Sequence, residues 1–587
     1  MKTHLIELVS EALARLRSEG VLAPEATAQV VIERARAKEH GDFACNIALG
    51  LARVAKVKPR VLADKIAAAL PASQQVGKVE IAGPGFINFF LTPAAYHAVV
   101  HTILNQQDRY GRSARGAGAR THMEFVSANP NGPLHVGHGR GAAYGDSLAR
   151  LLDAAGYRVH REYYINDAGR QMDILALSVW LRYLELCGEQ FEFPSNGYRG
   201  DYVYDIGATL HREDGRRLHR SVEDLFVGLA HAHDPAHDEE AHMDALTARM
   251  RALLGADDYR RVHGLGLAAM LANIRKDLEE FGVRYDEWYP ESRLIETGAV
   301  ERALALLAAR GFLYEKDGAR WFAATRFGDE KDRVVVRENG AITYFASDIA
   351  YHLAKFERGF ERAIDIWGSD HHGYVARVKA ALAAMDRNPD ALTVLLVQFA
   401  VLFRGGQKQQ MSTRSGEFVT LRELRAEVGN DAARFFYVLR KSEAHMDFDL
   451  DLAKSQSTDN PVYYIQYAHA RIHSVFRQLQ ERALRRATDP ARVDLNRLTE
   501  THETELLARL AQYPETIEQA AGDYAPHQIA YYLRDLANDL HTYYNAHEFL
   551  LKDDAALRDA RLMLIDATRQ VLANGLQLLG VSAPESM

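Results

Sequence analysis

The chain contains only two cysteines among its 587 residues, Cys45 and Cys187. They form no Cys-x-x-Cys pair, so the sequence excludes a disulfide framework and a cysteine-bound zinc site and favours a reducing cytoplasm. Apolar runs of 18 residues are also absent, which excludes a membrane-spanning helix and a membrane partner. The segment 1–9 carries Glu7 within its apolar pattern, so we do not expect a secretory signal there.

A large excess of charge is also missing. The 71 Lys and Arg residues against 79 Asp and Glu residues give a net charge of −8. A protein that only coats nucleic acid would usually be basic, although a local basic patch could still bind RNA. Hydrophobic residues make up 47% of the chain, which is ordinary globular composition.

Changes of pattern divide the chain into three parts. Residues 1–112 predict a small α/β unit, and residues 456–587 predict an all-α bundle. Between them, residues 113–455 alternate strands and helices, which predicts a Rossmann-like parallel sheet with helices on its faces. Residues from about 190 to 290 interrupt this alternation as an insertion. The glycine-rich segment 111–118 is expected to be a linker.

Several elements of the central part are predicted individually. Strands are expected at 123–128 and 157–165, with a helix at 138–155 between them. Further strands are expected at 342–345 and 362–367. Because ligands bind at the carboxyl ends of parallel strands, the polar residues that follow these strands are the candidates for a functional site.

The first candidate is a pair of histidines behind a Pro/Gly turn, His135 and His138. Imidazole N–H groups and helix N-terminal amides can stabilise the negative charge that develops when ATP reacts at its α-phosphorus. Gly137, Gly139 and Gly141 would let the purine and ribose approach closely. The simpler alternative is two polar histidines at an ordinary helix start.

Two further segments carry similar polar groups. Gly368 and Asp370 follow the predicted strand 362–367, together with His371 and His372; a capping acid with surface histidines is the alternative. The loop 404–416 is polar and flanked by glycines, so it could close on phosphates or equally be a solvated loop.

These three segments, in this order, resemble the class I aminoacyl-tRNA synthetases. His135–His138 is similar to the "HIGH" signature, and Gln410–Arg414 lies where the "KMSKS" loop belongs. The similarity is greatest to arginyl-tRNA synthetases of the bacterial type and covers essentially the whole chain. The stretches that carry it are 124–138, 162–170, 411–421, 431–436 and 460–471.

The resemblance implies an AMP-forming ligase. Such an enzyme activates L-arginine with ATP and Mg²⁺, and then transfers the arginyl group to the 3′-terminal ribose of tRNA(Arg). A monomer without a structural metal is expected, and arginine activation is expected to need bound tRNA. The ATP contacts implied by the resemblance are His135, Gly137, His138, Gly368, Asp370, Met411 and Ser412.

Four residues are expected at the arginine site. By resemblance, Tyr344 and Asp348 hold the guanidinium, while Glu124 and Asn129 contact the amino-acid end. A pocket for this planar cation needs carboxylates and neutral acceptors in matching geometry. An acid at a helix start is the simpler role for Asp348.

The phosphate-binding loop departs from the usual pattern. Gln410 and Thr413 occupy positions where many class I enzymes have lysines. We therefore hypothesise that Lys408 and Arg414, which lie beside these positions, share the neutralisation of the pyrophosphate.

Contacts with tRNA are expected at both ends of the chain. The resemblance favours anticodon binding by Tyr463, Tyr467 and Arg471, although tyrosines at helical spacing are more often core residues. It also places Phe86 and Asn88 at the elbow of tRNA.

Two other functions and one other site remain open at this point. The chain could be a different His-x-Gly-His nucleotidyltransferase that makes a small adenylylated metabolite, or a catalytically silent RNA-binding protein. The histidines between 231 and 242 match no strong zinc pattern, and a solvated helix is the preferred interpretation.

Overall fold

The computed structural model describes every residue except 25, 36, 230–237, 410–418 and 488. The N-terminal unit contains α1 (Lys2–Ser18), β1 (Ile32–Arg34), β2 (Phe43–Cys45), α2 (Ile47–Ala55), α3 (Pro59–Ala69), β3 (Val76–Ala82) and β4 (Phe86–Leu91). Its strands form an antiparallel sheet in the order β1-β2-β4-β3, and the three helices share its apolar core. Strands β3 and β4 form an antiparallel pair joined by the turn at 83–85.

Helix α4 (Pro93–Gln106) leads into the central unit, which then has a strand, a helix and a second strand in the expected order. These are β5 (Arg120–Phe125), α5 (Val136–Ala154) and β6 (Arg158–Ile165), and α6 (Arg170–Leu186) follows them. Glycine-rich α5 is almost wholly buried, which its small residues allow. The insertion then contributes α7 (Asp201–Asp214), α8 (Val222–Phe226) and α9 (Glu239–Glu280), which pack on α6 in a separate apolar core.

The chain then returns to the sheet. The remaining elements of this unit are β7 (Glu287–Pro290), α10 (Ser292–Glu296), α11 (Ala299–Ala309), β8 (Leu313–Lys316), β9 (Ala319–Phe322), β10 (Arg333–Val336), α12 (Tyr344–Glu357), β11 (Arg362–Gly368), α13 (Val375–Ala384), β12 (Leu392–Val397), β13 (Ala400–Arg404), β14 (Gln407–Lys408), α14 (Leu421–Val428), α15 (Asn430–Val438), β15 (Met446–Asp449) and α16 (Leu450–Lys454).

The main sheet is parallel throughout, in the order β12-β11-β5-β6-β7. The predicted Rossmann-like sheet is therefore confirmed. From β5 the chain builds outward through β6 and β7 on one side, and through β11 and β12 on the other. The order reverses between β5 and β11, and their carboxyl ends open the crevice where ligands bind in such sheets.

The C-terminal part is helical, as expected. It consists of α17 (Pro461–Glu481), α18 (Thr501–Leu510), α19 (Tyr513–Gly522), α20 (His527–Ala546) and α21 (Ala555–Leu578). Helix α4 contacts α18 and α21 rather than the N-terminal core. None of the helices in the described part of the chain combines the length and the apolar stretch needed to cross a bilayer.

Two local predictions were wrong. The expected strand 342–345 is the start of helix α12, because the Thr343 side chain accepts a hydrogen bond from the Ala346 amide and caps a helix there. The expected linker 111–118 is packed on the end of α5. The amides of Ser113, Gly116 and Gly118 donate to the carbonyls that end this helix and follow it.

Candidate active site

The paired histidines begin helix α5, directly behind strand β5. His135 is the N-cap residue, and its Nδ1 accepts a hydrogen bond from the Gly137 amide at 3.1 Å. The Nδ1 of His138 in turn accepts from the His135 amide at 3.3 Å. The two rings stack with centroids 3.7 Å apart. This reciprocal capping fixes both imidazoles at the carboxyl end of the sheet.

Both imidazoles are held in the neutral form. Burial lowers the pKa of His138 to about 3, and burial also lowers the pKa of His135. Each Nδ1 accepts a backbone proton, so each proton resides on Nε2. The pair can therefore donate hydrogen bonds to phosphoryl oxygens without carrying a charge.

The end of the phosphate-binding loop is anchored beside this pair. The Val136 amide donates to the Val419 carbonyl at 3.1 Å, and the Leu421 amide donates to the Leu134 carbonyl at 2.8 Å. The predicted residues Met411, Ser412 and Arg414 lie outside the described residues. Lys408 is described, and it is exposed on β14 opposite Phe403 of β13.

Gly368 ends β11 and Asp370 follows it, on the other side of the crevice. A Cβ atom on Gly368 would lie 2.5 Å from an Asp370 carboxylate oxygen, so a side chain at this turn would displace the Asp370 carboxylate. That carboxylate is 63% exposed and lies 3.7 Å from Nε2 of His371. A Cβ atom on Gly137 would lie 2.8 Å from the His135 ring, which its capping bond holds in place.

The sequence did not predict Phe399, which lies between these two glycines. Its ring would approach a Cβ on Gly137 to 3.1 Å and a Cβ on Gly368 to 3.6 Å. The side chain is nevertheless 48% exposed, which is unusual for phenylalanine at a crevice between two strands. An exposed ring here can stack on a purine. Phe399 lies within the largely apolar stretch 394–403, which gave no signal that one of its rings would be exposed.

The predicted arginine-binding residues Tyr344 and Asp348 share one face of α12. Tyr344 is 61% exposed, and its hydroxyl would lie 3.1 Å from a Cβ on Gly169. Asp348 lies one turn further and is half-buried; its Oδ2 accepts a hydrogen bond from the Tyr374 hydroxyl. Burial raises the pKa of Asp348, while the nearby His352 and Lys355 oppose this rise.

Glu291 is a second acid of this pocket, which the sequence did not predict. It follows β7, and its side chain is only 8% exposed. Burial, together with the nearby charge of Asp348, raises the pKa of Glu291 to about 7. Its position directly after a strand was the available signal, but β7 is too short and too polar to be recognised from its pattern.

Asn166 connects Asn129 to Glu291. The two amide side chains are 3.3 Å apart, and the Asn166 nitrogen, oriented to satisfy its hydrogen bonds, lies 3.1 Å from Glu291 Oε2. The pocket therefore combines carboxylates with neutral amides, which is the donor and acceptor set that a guanidinium or an amino-acid carboxylate needs.

Glu124 lies at the base of the pocket, at the end of β5. Its Oε2 accepts from the Lys355 ammonium at 2.8 Å, and the same ammonium donates to Asp365 Oδ1 at 2.8 Å. The Nε2 of His352 donates to the other oxygen of Asp365 at 2.8 Å. At least one oxygen of Glu124 is thus committed within the protein, which the sequence did not predict.

One group of side chains has the spacing of a metal site among the described residues, namely His160, Glu162 and Glu287. Arg358 fills it, because its guanidinium bonds to Glu162 and lies 2.7 Å from Glu287 Oε2. A divalent cation would have to displace this arginine.

Three family models match the chain, in the order of its three parts. The arginyl tRNA synthetase N terminal domain matches residues 3–91, the catalytic domain of class I (R) tRNA synthetases matches residues 99–186 and 211–449, and the DALR anticodon binding domain matches residues 465–587. The chain belongs to the arginyl-tRNA synthetase family. The resemblance inferred from its motifs is therefore confirmed.

Relatives within this family cover the chain completely. It is 60% identical to the arginine–tRNA ligase of Thioalkalivibrio sulfidiphilus and 58% identical to that of Halorhodospira halophila, over 100% of both chains in each pair. The arginyl-tRNA synthetase of Thermus thermophilus has a TM-score of 0.71 at 25% identity, over 100% of both chains. The Plasmodium falciparum arginyl-tRNA synthetase has a TM-score of 0.69 at 14% identity, over 100% of this chain and 99% of that one, and supports the fold alone.

The residues expected at the anticodon of an arginyl-tRNA synthetase form one aromatic cluster on the bundle. The rings of Tyr463 and Tyr467 stack with centroids 6.1 Å apart, and Tyr467 stacks on His541 at 5.7 Å. The Arg471 guanidinium lies 4.6 Å from the ring centroids of both Tyr467 and Tyr544. Partly exposed rings held by an arginine form a surface on which unpaired bases can stack.

The two residues expected at the elbow of tRNA differ in exposure. Phe86 is 38% exposed, and Asn88 is 4% exposed. Asn88 lies in the middle of the sheet, paired with Ala44 of β2 and Glu80 of β3. The elbow contact stays a prediction for both residues.

Proposed function

We propose that this protein is an arginine–tRNA ligase of the AMP-forming type. In the first step, the carboxylate of L-arginine attacks the α-phosphorus of ATP, and pyrophosphate leaves. In the second step, a hydroxyl of the 3′-terminal ribose of tRNA(Arg) attacks the arginyl-adenylate, and AMP leaves. Family membership supports the reaction, and the structure suggests how individual residues perform it.

The pair of acids Glu291 and Asp348 is the single observation that supports arginine as the substrate. Glu291 is buried and Asp348 is half-buried, and burial raises both pKa values. Two carboxylates in this state bind a planar cation strongly, because the cation restores the favourable ionised form of each. A neutral amino acid would leave both acids unpaired, at a cost of several kcal/mol, about 1–3 for each.

We infer that Tyr344 closes the pocket over the guanidinium, since it is exposed and lies on the Asp348 face of α12. Asn129 would hold the amino-acid end. We propose that Glu124 contributes mainly through Lys355, to which one of its oxygens is already bonded.

Phosphoryl charge is stabilised by neutral donors in this proposal. The Nε2–H groups of His135 and His138 face the α-phosphate, and Phe399 stacks on the adenine ring. Mg²⁺, which supplies charge neutralisation between phosphate oxygens, would arrive with the nucleotide. The exposed Asp370 carboxylate is the described group best suited to meet it, whereas the Arg358-filled acidic cluster is not.

Neutralisation of the leaving pyrophosphate is proposed for Lys408 and Arg414, with Met411 and Ser412 contacting the nucleotide. Lys408 is exposed on β14, next to the start of the loop. Val419 and Leu421, which follow this loop in the chain, are bonded to Val136 and Leu134 beside the histidine pair, and this placement supports the proposal.

For tRNA, we propose that residues 456–587 bind the anticodon through Tyr463, Tyr467 and Arg471. Residues 1–112 would touch the elbow through Phe86, and residues 113–455 would hold the acceptor end. A cytoplasmic monomer is the proposed working state.

The test is ATP–pyrophosphate exchange with a panel of twenty amino acids, with and without tRNA. Arginine alone should support exchange, and only when tRNA is present. Exchange that needs no RNA would favour a small-molecule adenylyltransferase. Binding of tRNA without any exchange would favour a silent RNA-binding protein.

A further inference from the structure

Tyr374 contacts the pocket but belongs to none of the motifs found in the sequence. It ends the short 3-10 turn Ser369–Tyr374, between β11 and α13. Its hydroxyl donates a hydrogen bond to Asp348 Oδ2, on the facing helix α12. The bond therefore joins the nucleotide side of the crevice to the carboxylate on the arginine side.

Three neighbours hold the Tyr374 ring in place. The Arg377 guanidinium lies 4.6 Å from its centroid, in a cation–π contact. The rings of Phe345 and Trp367 contact it edge-on, each with centroids 6.0 Å apart. Because the ring is fixed on several sides, its hydroxyl has one defined position relative to Asp348.

We propose that Tyr374 is a positioning residue for arginine recognition, which fixes the plane of the Asp348 carboxylate for a two-pronged contact with the guanidinium. The proposal rests on the proposed role of Asp348. A carboxylate has about four acceptor positions, so one phenol bond at Oδ2 leaves three for the substrate. A bidentate contact requires the carboxylate and guanidinium planes to coincide, and a carboxylate fixed beforehand loses less entropy on binding.

The hydroxyl also favours the charged form of Asp348. Burial raises the pKa of Asp348, and the hydrogen bond from Tyr374 opposes this rise. The other groups near this carboxylate act in both directions: His352 and Lys355 lower its pKa, and Glu124 raises it. Further charged or titratable groups in contact with this arrangement are Glu291, Tyr164 and Arg377.

The test compares Tyr374→Phe with a matched control, Tyr314→Phe. The control removes the same kind of bond, because the Tyr314 hydroxyl donates to Asp332 Oδ2 at 2.7 Å, outside the pocket. In tRNA-supported pyrophosphate exchange, Tyr374→Phe should raise the KM for arginine about tenfold, the effect of losing a hydrogen bond to a charged group. The KM for ATP and the thermal midpoint should match those of the control.

The pH dependence separates positioning from a general loss of packing. Without the phenol bond the pKa of Asp348 rises further. As the pH falls, this carboxylate therefore gains its proton, and arginine binding weakens, at a higher pH in Tyr374→Phe than in wild type. Direct binding of L-arginine by calorimetry at pH 6, 7 and 8 measures this shift. Tyr314→Phe should follow the wild-type profile.

Asp348→Asn distinguishes failure of this inference from failure of the proposed function. If Asp348→Asn loses arginine while Tyr374→Phe behaves like the control, the positioning role is wrong and the arginine pocket remains. Equal losses of arginine and ATP binding in Tyr374→Phe would also overturn it. If Asp348→Asn retains arginine binding, both the assignment of the pocket and the role of Tyr374 are wrong.

Discussion

The ammonium of Lys355 lies 2.8 Å from the carboxylate of Glu124, at the buried junction of helix α12 and strand β5. Helix α12 carries Tyr344 and Asp348, and β5 leads to the paired histidines. The same ammonium is bonded to Asp365 of β11, so one side chain joins the helix to the two strands that flank the crevice. The arginine side and the ATP side of the site are thereby held in one fixed relation.

Replacing Lys355 by Met should destabilise the protein by about 3–5 kcal/mol, because two carboxylates would remain buried without their cation. Urea titration measures this loss. Lys276→Met is the matched control, because the Lys276 side chain is 67% exposed and its ammonium forms a long surface pair with Glu280 at 3.9 Å. This substitution should change the free energy of unfolding by less than about 0.5 kcal/mol. Equal stability of the two variants would contradict the role given to Lys355.

Arginine binding should weaken as the pH falls below about 7. Burial raises the pKa of Glu291 to about 7, so this carboxyl gains a proton in that range and no longer attracts the guanidinium. Glu291→Gln should raise the KM for arginine at pH 8 and flatten its dependence between pH 6 and 8. Steady-state exchange kinetics across this range provide the measurement.

The same group makes a prediction for stability without substrate. Its folded-state pKa is raised, so the folded protein binds more protons than the unfolded chain between about pH 4.5 and 7, and stability falls as the pH rises through this window. A rise from 4.5 to about 7 corresponds to about 3 kcal/mol. Glu291→Gln should therefore stabilise the free protein by about 1–3 kcal/mol at pH 8. Destabilisation there would show that the Glu291 carboxylate already has a cationic partner.

His138→Ala should slow pyrophosphate exchange about 10²- to 10³-fold, the usual effect of removing one hydrogen-bond donor from a developing oxyanion. The KM for arginine should stay within about twofold of wild type, because the histidine lies on the ATP side. Burial lowers the pKa of His138 to about 3, so no loss of activity should follow imidazole titration between pH 6 and 8. His4→Ala, in the N-terminal unit, serves as control.

Lys408→Ala should slow adenylate formation markedly, because the exposed ammonium would no longer neutralise the leaving pyrophosphate. Single-turnover formation of arginyl-adenylate in the presence of tRNA tests this directly. Lys454→Ala removes another exposed lysine, one that pairs with Glu427, and should have no effect. Unchanged exchange in Lys408→Ala would leave the role to Arg414 alone.

Arg471→Ala should raise the KM for tRNA by about 10- to 100-fold, because stacked bases contribute about 1–3 kcal/mol each and the arginine holds two of the rings. Arginine and ATP constants should not change. Arg486→Ala removes a comparable contact with the Phe476 ring, at 5.1 Å, and is the matched control. If both variants bind tRNA as wild type does, the aromatic cluster is not the anticodon surface.

Local signals explain why the ATP side of the site could be predicted. His135 and His138 are separated by three positions, and their mutual capping depends on backbone geometry that a Pro/Gly turn and a helix start already specify. Gly368 and Asp370 likewise follow a strand with a clear apolar pattern. In both cases the residues that act together are neighbours in sequence.

The pairing partners on the arginine side could not be predicted in this way. Glu291 and Asp348 belong to segments separated by a whole three-stranded sheet, β10-β9-β8. Tyr374 and Phe399 arrive from still other segments. No periodicity links such residues, because the contact is created only when the strands assemble and the helices pack on them.

The sequence alone determined the three-part organisation, the parallel sheet, the family and the position of the histidine pair, since these depend on periodicity and on short motifs. Tertiary structure decided which charges are buried together and which of them find partners. It placed Lys355 beside Glu124, kept Glu291 and Asp348 in surroundings that raise their pKa values, and buried Asn88. The physical reason is that the free energy of a charged group depends on its burial and on its neighbours, and both are properties of the folded chain.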